Sequence, residues 1–115
     1  MKIVVIDGQG GSIGRAIVEK LVSSGLNENL VCIGTNATAT ANMLKGGAKQ
    51  GATGENPVIV ACRDASYIIG PIGIVMADSM LGEITPKMAK LLAQAPLTRF
   101  SFQSTSALPS LALNP

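Results

Sequence analysis

Apolar residues near the start of the chain follow two patterns in turn, a short continuous run and then a run with helical spacing. Lys2 to Asp7 is a β-branched run that stops at a glycine cluster, which predicts a buried central strand. Ile13, Ile17 and Leu21 then recur every four residues, as on one face of a helix. The chain is therefore predicted to open with a strand followed by a helix.

The same pair of patterns repeats. Ser12 is placed to cap the first helix, and Gly25 is placed to end it. Leu30 to Gly34 predicts a second strand, and Asn36 is placed to cap an alanine-rich helix that runs to about Lys45. The first part of the chain thus predicts β-α-β-α.

In the middle of the chain, one stretch is compatible with either a helix or a strand. A brief strand is expected near Ala48 to Ala52. Asn56 to Ala65 contains β-branched residues typical of a strand, but Asn56 followed by Pro57 is typical of a helix start, and we predict a short helix. Ser66 to Gly70 predicts the next buried strand.

The last third predicts two more helices and one more strand. An apolar segment that ends near Leu81 favours a helix, and Thr85 with Pro86 is placed to open another. Arg99 to Gln103 alternates with period two, as a strand does. We expect one domain over residues 1–103, followed by a tail over residues 104–115.

This alternation predicts an α/β fold: a small doubly wound, mostly parallel, Rossmann-like sheet with helices on both faces. With 47% apolar residues and only 3% aromatic residues among 115, the core is built from aliphatic side chains. Cys32 and Cys62 lie in apolar stretches and are expected to be reduced and buried.

Charge and composition exclude several functions. The nine basic residues are scattered and the net charge is +2, so no nucleic-acid surface is predicted. Without histidine, metal sites and Ser-His-Asp chemistry are not expected. No signal peptide and no membrane-length apolar run are present, which favours a cytoplasmic protein with no membrane contact.

The glycine cluster between the first strand and helix resembles a dinucleotide-binding loop. Its pattern, Gly8-x-Gly10-Gly11-x-x-Gly14, is a variant of the usual one-three-six spacing of glycines. A bound anion would balance Arg15, whose charge opposes the helix dipole, although Arg15 pointing into water is an equal alternative. The predicted anion-binding residues here are Gly8, Gln9, Gly10, Gly11, Ser12, Ile13, Gly14 and Arg15.

Ordinary NAD or NADP binding is disfavoured. The second strand ends in Gly34-Thr35-Asn36, without the acidic residue that holds a ribose or an arginine for a phosphate. Thr35 and Asn36 either bind a ligand or cap their helix. Gly70 and Pro71 end another strand at the same edge, so these four residues complete a predicted site for a nucleotide or another phosphate-bearing small molecule.

The chain resembles a family of short bacterial proteins classed as a domain of unknown function. Three strings carry the resemblance: "MKIVVIDGQGGSIG", "GTNATATANMLKGGAKQGATGEN" and "IIGPIGIVMADSMLGEITPKMA". They cover about residues 1–89. The resemblance implies a small, stand-alone Rossmann-like protein and implies no activity.

Three functions stay open: a binding or sensing protein, a small enzyme with an acidic general base, and a structural module without ligand. The candidate bases are Asp7, Glu55, Asp78 and Glu83, each of which also has an ordinary structural role. The stretch from Ile72 to Leu81 is apolar around nearly all of a helix, which predicts a homodimer joined through Ile72 to Met88 or, alternatively, a cover formed by the C-terminal strand and tail.

Overall fold

A computed structural model of the chain describes residues 1–71, 82, 85–88, 90 and 100–102. The strands are β1 (Ile3–Asp7), β2 (Leu30–Gly34), β3 (Gln50–Thr53), β4 (Tyr67–Gly70) and β5 (Phe100–Phe102). The helices are α1 (Ser12–Ser23), α2 (Ala37–Lys45) and α3 (Glu55–Cys62), and a 3₁₀ turn spans Asn27–Asn29. Strands and helices therefore alternate along the described chain, as the hydrophobic pattern predicts.

The five strands form one sheet in the order β3-β2-β1-β4-β5, and every neighbouring pair is parallel. The chain steps outward from β1 through β2 to β3, and then crosses to β4 on the other side of β1. This reversal between β1 and β4 is the point where ligands bind in open sheets of this kind. The predicted α/β, Rossmann-like fold and the central place of β1 are confirmed.

Helices cover both faces of the sheet, because alternate side chains of β1 point to opposite faces. Ile3 and Val5 pack in one buried cluster with residues of α1 and α2, such as Ile17. Val4 and Ile6 pack in a second cluster with residues of α3. Both faces are aliphatic, and the β1 side chains are fully buried.

The N-cap of helix α1 lies one residue earlier than predicted. Ser12 is its first residue and not its cap; the cap is Gly11, at φ 75° and ψ 15°. A side chain is strained in this left-handed conformation, which is why glycine occupies it. The C-terminal prediction is confirmed: Gly25 N and Leu26 N donate to Val22 O and Leu21 O at 3.0 and 3.1 Å, the two bonds of a Schellman motif.

The capping of α2 is as predicted, and that of α3 is not. Asn36 Oδ1 accepts from Ala39 N at 2.8 Å, and α2 ends at Lys45. In α3, Gly54 is the cap and Glu55 the first helical residue, so the predicted start at Asn56 and Pro57 is wrong by two residues. Gly54 has φ 112°, a conformation that favours glycine and starts the helix early. The choice of helix over strand in this stretch is confirmed.

The later elements agree where they are described. Thr85 caps the turn that follows it: Met88 N donates to Thr85 Oγ1 at 3.2 Å, and residues 86–88 are helical. Met88 is buried against the cluster on the α3 face of the sheet. The predicted helix ending near Leu81, most of the predicted dimer segment, and the tail lie outside the described residues.

Within the described part of the chain, no helix combines the length and the hydropathy needed to cross a membrane.

The two cysteines are expected to react slowly with thiol reagents in the folded protein. Both are buried, and they belong to the clusters on opposite faces of the sheet, so they are not placed to pair. Burial raises the pKa of the Cys32 thiol, which keeps it protonated and unreactive near neutral pH. Thiol titration with and without denaturant measures this, and rapid labelling of native Cys62 would contradict it.

Candidate functional site

The predicted site residues meet at the carboxyl edge of the sheet. Asp7 of β1 pairs with Gly34 of β2, and Thr35 N donates to Asp7 O at 3.0 Å. On the other side of β1, Val5 pairs with Ile69, one residue before Gly70. The loop after β1 therefore lies between Thr35 and Asn36 on one side and Gly70 and Pro71 on the other.

Asp7 holds the start of α1. Its side chain is 4% exposed; Oδ1 accepts from Gly8 N at 2.8 Å and Oδ2 accepts from Gly14 N at 2.6 Å. A carboxylate near the positive end of a helix is stabilising, and bonds from amides to a charged oxygen are stronger than neutral ones. The ordinary role of Asp7 as an acceptor in its own turn is confirmed, and its carboxylate also accepts from an amide in the first turn of α1.

At the start of α1, some backbone amides donate hydrogen bonds within the protein and others do not. Gly11 N donates to Gly8 O and Arg15 N donates to Gly11 O, each at 2.9 Å. Gly14 N is held by Asp7. Among the residues that the structure describes, the amides of Ser12 and Ile13 have no acceptor, and Ser12 is exposed. The helix start therefore keeps two donors available to an anion.

Two glycines of the loop are required by packing. A Cβ on Gly11 would lie 2.8 Å from Ala39 Cα and Ala39 O, which are backbone atoms of α2. A Cβ on Gly14 would lie 2.6 Å from Met43 Sδ and 2.7 Å from Asp7 Cβ. Both distances are shorter than a side chain tolerates. These glycines allow α1, α2 and β1 to approach one another closely.

Gly10 differs from both. It is exposed, a Cβ built on it would meet nothing within 4 Å, and its φ is not positive. Gln9 before it has φ 49° and takes the left-handed turn instead. Neither packing nor backbone conformation accounts for glycine at position 10 among the described surroundings.

Arg15 and Asn42 lie beside the loop. Arg15 Nη1 donates to Asn42 Oδ1 at 2.9 Å, and Arg15 Nε lies 3.8 Å from Glu19 Oε1. The side chain of Arg15 is 41% exposed, so part of its charge faces solvent. Sequence reasoning missed Asn42, because its position in the middle of α2 carries no signal that it faces a loop 32 residues earlier.

The end of β2 presents amide and hydroxyl groups and no carboxylate. Asn36 uses its side-chain oxygen to cap α2, and its Nδ2 donates to Gln9 O at 2.9 Å. The capping alternative for Asn36 is therefore confirmed. Thr40 anchors α2 to the edge strand: its hydroxyl lies 3.2 Å from Ala52 O and 2.7 Å from Thr53 Oγ1.

Of the other acidic candidates, Glu55 is the one that the structure describes. Glu55 Oε2 accepts from the Thr85 hydroxyl, a bond that ties the start of α3 to the turn at residues 85–88. Asp78 and Glu83 lie outside the described residues. Within the described ones, no three His, Cys, Asp or Glu side chains are grouped to hold a metal ion.

Gly14→Ala is expected to destabilise the protein, and Gly10→Ala is its matched control. The Gly14 methyl overlaps Met43 and Asp7, and overpacking of this kind costs about 1–3 kcal/mol. The Gly10 methyl enters open space, where surface changes stay within about 0.5 kcal/mol. Urea unfolding of both variants measures the difference. Equal stability of the two variants would contradict the packing role of Gly14.

A family model described as "Domain of unknown function (DUF3842)" matches residues 2–104. The match includes all five strands and extends past the stretch that carries the resemblance in the sequence. The comparison with curated proteins found no match, and neither did the comparison with solved structures. Because the matched residues make up most of the chain, the protein belongs to this family of unknown function.

Proposed function

We propose that the protein binds a small molecule with a phosphate group at the carboxyl edge of its sheet, at the loop between β1 and α1. The observation that carries this proposal is Gly10. A glycine that the surrounding protein does not require is useful where a ligand must approach the backbone closely. The reversal of strand order between β1 and β4 supports the same location.

The phosphate would accept hydrogen bonds from the first turn of α1. The amides of Ser12 and Ile13 are open among the described residues, and the Ser12 hydroxyl is exposed beside them. The helix dipole favours negative charge at this end, and the half-exposed Arg15 adds a positive charge nearby. The Asp7 carboxylate already occupies the amide of Gly14, so the phosphate would lie toward Ser12 and Gly10, at the outer side of the turn.

The rest of the ligand would differ from ordinary NAD or NADP. The end of β2 offers no carboxylate to a ribose, and Asn36 is engaged by Ala39 and Gln9. A nucleotide held without an acidic ribose contact, or a phosphorylated metabolite, suits the edge better. Binding without turnover is favoured because Asp7 and Glu55, the two candidate bases among the described residues, are both hydrogen-bonded within the fold.

A thermal-shift panel of nucleotides, phosphorylated metabolites, pyrophosphate and inorganic phosphate tests the proposal. At least one phosphate compound is expected to raise the Tm, because a ligand that binds only the folded state stabilises it. Gly10→Val is expected to abolish that rise without lowering the Tm of the free protein, since its side chain projects into open space.

The matched control is Gly25→Asn, at the opposite end of α1. Gly25 is also a loop glycine with open space around it, and asparagine tolerates its left-handed conformation. Gly11→Val is unsuitable because its side chain would collide with Ala39. If no phosphate compound raises the Tm, or if Gly10→Val leaves the rise intact, the proposal is wrong.

A further inference from the structure

The outward face of α3 is apolar in its middle. Three side chains of this helix are buried against the sheet: Val58, Ala61 and Cys62. The opposite side of the helix carries, at spacings of three and four residues, Asn56, Ile59, Val60 and Arg63. Val60 is 47% exposed, and Ile59 is partly exposed. An apolar centre with a polar rim is the arrangement of a protein interface.

The two ends of this face carry opposite charges. Glu55 begins α3, and Arg63 caps its other end. The Arg63 side chain is exposed, and within the described part of the chain no carboxylate forms an ion pair with it. Glu55 Oε2 accepts from the Thr85 hydroxyl, and a carboxylate has further lone pairs with which to accept. The helix therefore offers a cation at one end and a carboxylate at the other.

Such a face is complementary to a second copy of itself. If two copies of α3 pack antiparallel about a two-fold axis between Ile59 and Val60, Arg63 of one copy comes level with Asn56 of the other. Glu55 lies one residue further along, which is about 1.5 Å along the helix axis. Packed helices lie about 8–10 Å apart, a distance that an arginine side chain can bridge. The apolar pairs then meet at the centre, and opposite charges meet at both ends.

We propose that α3 is the surface through which two copies of this chain form a two-fold dimer, with Ile59 and Val60 at its centre and Arg63 of each copy paired with Glu55 of the other. The inference goes beyond the proposed function and does not depend on the anion site, which lies at the start of α1. It also differs from the dimer that the sequence predicts, which is joined through Ile72 to Met88.

The C-terminal tail suits this face less well than a second copy does. Residues 104–115 include leucines that could pack on Val60, but they contain no charged side chain. A cover made of these side chains would desolvate Arg63 without giving it a counter-charge, which is unfavourable. A second copy supplies both the apolar contact and the carboxylate of Glu55.

Val60→Glu tests the centre of the interface, and Leu44→Glu is its matched control. Both are exposed aliphatic residues in the last turn of a helix, and Leu44 belongs to α2, which packs on the other face of the sheet. Stable complexes bury about 1,200–2,000 Å², more than one short helix offers, so the dimer is expected to exchange with monomer. Sedimentation equilibrium of the full chain measures its dissociation constant.

Val60→Glu is expected to weaken dimerisation at least about tenfold, because two like charges meet at the axis, whereas Leu44→Glu keeps the wild-type constant. The ion pair has its own variants. Arg63→Glu places a carboxylate beside Glu55 of the other copy and is expected to weaken the dimer about tenfold at low salt. Arg63→Lys keeps the charge, so its effect stays below about fivefold.

Val60→Cys locates the contact. The two copies of residue 60 flank the two-fold axis, so a short bis-maleimide is expected to link two chains of this variant and not two chains of Leu44→Cys. The native cysteines are buried and contribute little. A wild-type chain that stays monomeric up to about 1 mM overturns the proposal. A dimer that Val60→Glu leaves intact also overturns it, because the interface then lies elsewhere.

Discussion

The buried carboxylate of Asp7 is the interaction on which the carboxyl edge of the sheet depends. It ends the central strand and accepts from the amide of Gly14, seven residues later, so it joins β1 to α1 directly. Hydrogen bonds to a charged group contribute about 1.5–3 kcal/mol each. A buried charge without such bonds would be strongly unfavourable, so the strand end and the helix start are fixed together.

That bond requires α1 to lie very close to β1, and the glycines follow from this requirement. Gly14 leaves room for Asp7 and Met43, and Gly11 leaves room for the backbone at Ala39. Gly34, at the end of β2, leaves room for Thr40 of α2. Gly11 and Gly14 of the loop pattern therefore serve close packing of helices on the sheet. Gly10 is a member of the pattern that packing leaves unexplained, and the proposed anion site is built around it.

The elements were predictable because each depends on local signals. The apolar run of β1, the four-residue spacing in α1, the cap at Asn36 and the glycine after α1 all act within a few residues, and the structure confirms them. The starts of α1 and α3 were missed because left-handed glycines, Gly11 and Gly54, begin these helices before the expected caps. A side-chain cap can be expected from the residue type, whereas the backbone conformation of a glycine cannot.

The location of the candidate site could be predicted from the sequence, but the contacts that each of its residues makes could not. The convergence of Gly8, Thr35 and Gly70 at one edge follows from parallel strands, and the structure places them there. Three features of the loop arise from tertiary contacts: the different surroundings of its glycines, the hydrogen bond from Gly14 to Asp7, and the hydrogen bond from Asn42 to Gly10. They depend on how closely two helices approach, which no spacing along the chain encodes.

The anion site at the start of α1 is tested most directly by an NMR titration of ¹⁵N-labelled protein with pyrophosphate, with the amide signals followed one by one. Such a site predicts saturable shifts at Gly10, Ser12 and Ile13, while the bond from Gly14 to Asp7 persists and the amides near Gly25, at the far end of α1, stay unchanged. Shifts confined to other parts of the surface, or no saturable shift in the loop, would contradict it.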